Sequence, residues 1–331
     1  MAEERRPAFG GSNIHIPLSL QELFGLWSRF PGAAPWAGGT ALGAGNHSAS
    51  FLSLPRDIIS LERIEELRRI ARTERYLEIG AMVRLNEITR LGKMIPDVLI
   101  RTLLGAAGYP VRNLVTLGGL VCSSAPQATG TGEGILPRGA RSLGAAASFI
   151  ALDARFELRS AESSRWVSAA RFYTPGGRQE IAERGGLPAG AWGAPPAKTR
   201  LRGGGLSPKP DPAAEPGREL LTRIRIPLEQ WSYSVYRKIQ DGDRWGTAVF
   251  IARIEKNILM ELRVIFASDR IIRSQAGESS LNGKSLPLER RDVNHFVALW
   301  ELALEEEGRT DPMIRAILLN CIEACALELA D

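Results

Sequence analysis

The sequence predicts an α+β fold, and three observations carry that expectation. Strand and helix patterns alternate through the first half of the chain. A run of strands followed by two helices fills its last third. Two glycine pairs, in Trp36-Ala37-Gly38-Gly39-Thr40 and in Val111-Arg112-Asn113-Leu114-Val115-Thr116-Leu117-Gly118-Gly119, punctuate the first part in similar settings.

The elements follow in order. Residues up to about Gly10 read as a frayed tail. Ile14 and Ile16 alternate with polar partners as in a short strand, and Ser19 precedes Leu20-Gln21-Glu22-Leu23-Phe24, a helix start with Glu22 in the capping-box position. Asp57-Ile58-Ile59-Ser60 and the stretch around Tyr76 to Ala81 read as strands. Between them the spacing of Ile64, Leu67 and Ile70 favours a helix. Pro96 opens a helix that runs to about Ala107, where Gly108 stops it.

Ala145 to Asp153 reads as a buried strand paired with Phe156-Glu157-Leu158-Arg159. Ile181 to Arg218 holds 8 glycines and 7 prolines in 38 residues, a composition that cannot build a core and reads as a mobile excursion. Strands are expected at Ser232–Ile239, Thr247–Glu255 and Leu259–Ser268. Two helices then close the chain, with Asp311-Pro312 as N-cap and first helical residue and Ile314, Ile317, Leu318, Cys321 and Cys325 on one apolar face.

At 331 residues and 44% hydrophobic, the composition is that of a globular chain with two or three modest cores. The net charge of +5 is a small surplus among 42 basic and 37 acidic residues, which gives no case for nucleic acid. No apolar run approaches the ~18 residues needed to cross a bilayer, so the expectation is a cytoplasmic protein without membrane insertion. Cys122, Cys321 and Cys325 lack the clustered spacing of an iron–sulfur centre; Cys321 and Cys325 share a helix face and read as buried small hydrophobes in preference to metal ligands. His15, His47 and His295 are far apart, and spacing supports no Ser-His-Asp set, metal cluster or paired catalytic carboxylates.

The glycine pairs point to phosphate. A phosphate diester comes within hydrogen-bond reach of several backbone N–H groups only where side chains do not block it, and Gly and Ala satisfy that condition. The neighbouring threonines add hydroxyl donors.

These segments, with Pro17-Leu18-Ser19-Leu20-Gln21-Glu22-Leu23, Leu77-Glu78-Ile79-Gly80-Ala81, Arg171-Phe172-Tyr173, Glu219 to Pro227 and Tyr236-Arg237-Lys238, resemble the FAD-binding (medium) subunit of molybdenum hydroxylases. That family includes the flavoprotein parts of xanthine dehydrogenase and carbon monoxide dehydrogenase, and the likeness covers most of the chain in order. It implies a PCMH-type FAD-binding domain of two α+β subdomains over residues 11–227, with the excursion at 181–218 as an insertion. A small C-terminal domain over 228–331 would follow, a three-stranded antiparallel sheet with helices on one side. It also implies a turn and a strand, rather than a helix, around Ile64 to Ile70.

The resemblance implies that Ala37, Gly38, Gly39, Thr40 and Leu42 form one phosphate-binding loop, that Thr116, Gly118 and Gly119 form the second, and that Ala81 lies close to the cofactor. Lys238 matches a family lysine near the flavin ring, where an ammonium stabilises negative charge; read alone, it is equally a solvated strand-end lysine. The implied function is that of an FAD-binding oxidoreductase subunit. It takes electrons from a partner iron–sulfur subunit, in a complex with a molybdopterin-binding large subunit, and passes them to NAD or another acceptor. It supplies no catalytic acid or base.

Three departures from the family pattern favour an alternative, a flavin-free or weakly binding structural subunit. Ala41 replaces an acid and Leu120 an asparagine, and the stretch after Ser123 has no acid before Glu133. Each missing hydrogen bond weakens binding by roughly 0.5–1.5 kcal/mol. Thr129 and Glu133 are the candidates to compensate. Arg244 stands as the equivalent of a family arginine across a lengthened gap, and Trp36 and Trp245 read either as ring-flanking or as loop-packing residues.

Overall fold

The computed structural model describes residues 12–40, 56–123, 144–173, 219–241, 244–267, 271–306 and 312–328. The expected tail, Ala41, Leu42, His47, Thr129, Glu133, Asp311 and the whole Gly/Pro-rich run lie outside the described residues.

The chain begins with a three-stranded sheet of β1 (Asn13–His15), β2 (Ala34–Trp36) and β3 (Asp57–Ser60), with β3 central and parallel to both neighbours. Helix α1 (Leu20–Arg29) connects the first two strands. Its start is fixed as the sequence suggests: Ser19 Oγ accepts from the Glu22 amide at 3.2 Å, and Glu22 reaches back to the Leu18 amide at 2.8 Å. The helix buries Leu20, Leu23, Phe24 and Trp27 against Ile59, Leu61, Ile64 and Leu67.

After β3 the chain makes a single 3₁₀ turn (Glu65–Arg68) and then β4 (Ile70–Arg72). The turn and strand that the resemblance implies are therefore what forms, and the helical spacing at Ile64, Leu67 and Ile70 is not realised as an α-helix. The reason is tertiary: the Leu67 carbonyl accepts from the Met82 amide at 2.8 Å, and Gly80 lies so close to that carbonyl that a Cβ would collide with it.

A five-stranded antiparallel sheet comes next, ordered β4, β5 (Tyr76–Gly80), β8 (Leu220–Pro227), β6 (Arg155–Arg159), β7 (Ser164–Ser168). Leu77, Ile79, Ile224, Ile226, Phe156, Leu158 and Val167 line its core face. Against that face pack α2 (Leu85–Thr89), α3 (Asp97–Ala106), α5 (Leu117–Ser123), α6 (Gly144–Ala151) and α7 (Ala169–Tyr173), whereas the single turn α4 (Tyr109–Arg112) between α3 and α5 buries no residue. Pro96 sits one residue earlier than expected, as the N-cap of α3.

Helix α6 corrects the strand expected over Ala145–Asp153. Every residue from Gly144 to Ala151 is buried, so no polar face marks the 3.6-residue period. Asp153, in the left-handed region at φ 50°, turns the chain from α6 into β6. Phe156 to Arg159 does form a strand, but its partners are β7 and β8.

The last part holds a second antiparallel sheet, ordered β12 (Ile271–Ile272), β11 (Ile258–Ala267), β10 (Arg244–Glu255), β9 (Tyr233–Asp241). The three long strands are those expected, and β12 adds a short fourth at the edge. Alternation along β10 gives the sheet two apolar faces: Val249 and Ile251 join the core of α3 and α6, whereas Ala248, Phe250 and Ala252 join that of the closing helices. Those helices are α8 (Gln275–Leu281), α9 (Arg290–Glu306) and α10 (Pro312–Leu327), the last beginning at Pro312 as expected. Cys321 is buried on α10. Among the described residues, no helix is long and apolar enough to cross a membrane, and no group of three or more His, Cys, Asp or Glu is placed to hold a metal ion.

Candidate functional site

The two glycine segments meet. Gly38 lies against the Leu114–Val115 peptide so closely that a Cβ would collide with the Leu114 carbonyl oxygen. Gly39 has φ 68°, and a Cβ there would lie 2.6 Å from the Trp36 ring, so glycine is required twice over. Trp36 thus packs under the turn. The Gly38 and Gly39 amides have no hydrogen-bond partner among the described residues, and both residues are only half-buried. Unpaired N–H groups in a partly enclosed turn are the donors that an anionic phosphate requires.

The second segment is a helix start rather than an open turn. Thr116 Oγ1 accepts from the Gly119 amide at 3.2 Å as the cap of α5. The Leu117 amide donates to Val83 O at 2.9 Å and the Gly118 amide to Ala81 O at 2.8 Å. A Cβ on Gly118 would stand 2.8 Å from that of Ala81, so this glycine serves close packing. The first three amides of α5 are therefore engaged within the protein. Leu120, in place of a family asparagine, is half-buried against the core.

Residues 109–113 are held by a polar network that the sequence did not announce. Buried Asn86 on α2 donates to Asn113 Oδ1 at 2.6 Å and accepts from Arg112 Nε at 3.1 Å. Arg112 also donates to the Leu104 and Ala107 carbonyls at the end of α3, at 3.1 and 2.7 Å, and lies over the Tyr109 ring. The Arg112-Asn113 pair quoted for the resemblance is thus a bracket between α2, α3 and the second glycine segment.

Lys238 lies on β9 beside α3. Its Nζ donates to Gly105 O, and a Cβ on Gly105 would come within 3.2 Å of Lys238 Cε and 3.1 Å of the Tyr236 ring. Although much of the side chain is exposed, partial burial lowers the Lys238 pKa from the usual lysine value. Burial likewise raises the Tyr236 pKa, against a hydrogen bond with Thr247. The structure therefore brings Ala37, Gly38, Gly39, Thr40, Ala81, Thr116, Gly118 and Gly119 together. Lys238 connects to them through residues 104–114, which run from Gly105 to the Leu114 carbonyl under Gly38. The spacing of Tyr236 two residues before Lys238, on one strand face, was the signal by which Tyr236 was findable.

An FAD-binding domain is the class of protein that this glycine cradle fits, and comparison with known proteins gives the family. The chain belongs to the family described as the FAD binding domain in molybdopterin dehydrogenase, whose model matches residues 8–187. FAD is the cofactor of that family. Xanthine dehydrogenase 2 of Arabidopsis thaliana is 29% identical over 127 residues, which cover 35% of this chain and 9% of that protein. Aldehyde oxidase 2 of Cavia porcellus is 38% identical over 118 residues, 32% of this chain and 9% of the relative. The match thus spans about a tenth of the length of these curated relatives.

Among solved structures, quinoline 2-oxidoreductase from Pseudomonas putida 86 superposes with a TM-score of 0.64 at 21% identity, covering 97% of this chain and 95% of that one. A carbon monoxide dehydrogenase chain from Hydrogenophaga pseudoflava gives 0.63 at 19% identity, covering 96% of each. At such identities the likeness concerns the fold.

Proposed function

We infer that this chain is the FAD-holding electron-transfer subunit of a molybdenum hydroxylase complex, taking electrons from an iron–sulfur subunit and passing them to NAD or another acceptor. The observation that carries this reading is the pair of unpaired, half-buried amides at Gly38 and Gly39, locked against the second glycine segment. Bound FAD would supply the redox centre there, able to exchange electrons singly or in pairs.

The protein's own residues bind and orient. Ala37, Gly38, Gly39 and Thr40 offer donors to phosphate. Leu42 belongs to the same reading, and Ala81, Thr116, Gly118 and Gly119 hold the wall behind them. Lys238 brings a positive charge to the seam between α3 and the second sheet, where reduced solvation strengthens its field. A molybdopterin-binding subunit would complete the complex.

The engaged amides of α5 favour a second reading, a structural subunit that binds FAD weakly or not at all. The visible spectrum of the purified chain, incubated with FAD and desalted, separates the two. Gly119→Asp is the informative variant: a Cβ there meets Thr116 Oγ1 at 3.0 Å, so the cap of α5 must shift slightly and a thermal melt checks that the fold is kept, while the acid itself suits a first helical turn. The expected result is flavin absorption near ~450 nm in the wild type and at least a tenfold loss of affinity in the variant through repulsion of phosphate. A folded chain that stays colourless alone and in its complex would establish the structural reading.

A further inference from the structure

We propose that residues 104–114 form the docking surface for the iron–sulfur electron donor, an acidic partner that seats on an apolar patch between Lys238 and the first glycine turn. This rests on the electron-transfer reading above. Leu104 is 47% exposed, Tyr109 60%, Val111 42% and Leu114 54%, so four large apolar side chains stand out to solvent within eleven residues. Such clustering marks an interaction site, unlike single exposed leucines.

The patch is rigid. Arg112 ties the end of α3 to the Tyr109 ring, and Asn86 anchors Asn113, so little ordering entropy is lost on docking. Tyr and Arg at its centre are the types that dominate binding energy. It also lies where a donor is useful, since one end abuts the Lys238 contact at Gly105 and the other the Leu114 carbonyl under Gly38.

Charge selects the occupant. From Leu85 to Leu114 the chain carries Arg90, Lys93, Arg101 and Arg112 against Glu87 and Asp97. Asp97 is paired with Arg101 at 2.7 Å, whereas Arg90 and Lys93 make no ion pair among the described residues. Arg90 follows Asn86 by one helical turn, on the side that meets Arg112. A cluster ligated by cysteine thiolates is anionic, and an acidic surface around it complements this basic rim and speeds encounter.

The test uses the tagged chain recovered as its native complex, with iron and FAD measured per chain. Leu104→Glu/Val111→Glu is expected to reduce co-purifying iron at least tenfold while FAD and the thermal midpoint stay at wild-type levels. Arg90→Glu/Lys93→Glu is expected to shed iron at a lower salt concentration than wild type. Leu302→Glu, at a 52% exposed leucine on α9, serves as a control and should retain it. Iron retained by the patch variant, iron lost equally from the control, or a wild-type complex without iron would overturn the proposal. An unchanged salt dependence in the charge variant would overturn the acidic occupant. If iron is lost from the patch variant but FAD is absent even from wild type, docking stands and the flavin reading falls.

Discussion

Glu157 shows how a single carboxylate on the outer face of the five-stranded sheet becomes a stability determinant. Burial alone would raise its pKa. Two bonds from Arg223 at 2.6 and 2.7 Å, one from Thr222 at 2.6 Å and one from Ser164 at 3.0 Å outweigh that effect and hold it at about 2. The folded-state value is depressed, so the stabilisation is present above the ordinary value of 4.5 and is lost as pH falls toward about 2. Glu157→Gln should cost roughly 2 kcal/mol at neutral pH and flatten the acid limb of a pH–stability profile measured by urea unfolding. Gly38 acts by absence. Gly38→Ala would drive a methyl into the Leu114 carbonyl, and the expected loss is about 1–3 kcal/mol together with weakened FAD retention, read by thermal melts and desalting.

Helix α6 shows the limit of periodicity at the scale of an element. Its alanines let α3, the second sheet and α5 approach closely, and a Cβ on Gly144 would lie 2.6 Å from Thr247 Oγ1. Ala147 is fully buried. Ala147→Leu should therefore destabilise by about 1–3 kcal/mol through overpacking, although leucine propagates a helix nearly as well as alanine. Urea unfolding would show it as a lowered midpoint; a neutral result would mean that the packing around Ala147 is looser than its burial implies. By contrast, α1 and α10 were legible because their ends carry local chemistry: Ser19 and Glu22 in one, Pro312 in the other.

For the whole molecule, the second sheet acts as a wall with apolar side chains on both faces. Val249, Ile251, Ile265 and Ala267 complete the core of α3 and α6, and Phe250, Leu262, Val264 and Phe266 complete that of the closing helices. Neither layer buries its hydrophobic surface without the sheet. Calorimetry should therefore give one cooperative transition across both layers, and a fragment of residues 1–227 should aggregate or remain expanded in size-exclusion chromatography. Two separate transitions with a soluble, compact fragment would show that the wall contributes little.

The sequence by itself determined the glycine turn at Gly38-Gly39, the capped helices, the three long C-terminal strands and the family, because each is written in local residue types and their order. At Ile64 to Ile70 periodicity alone points to a helix, whereas the resemblance already implied the turn and strand that form; only the tertiary structure decided that residues 144–151 are helical and that the Gly118 amide is spent on Ala81. Full burial removes the polar face from which a period is read. A carbonyl's partner from a distant segment, as at Leu67, leaves no mark in its own neighbours. Asn86 was illegible for the same reason: its three partners, Tyr109, Arg112 and Asn113, are more than twenty residues away and become neighbours only when the chain is folded.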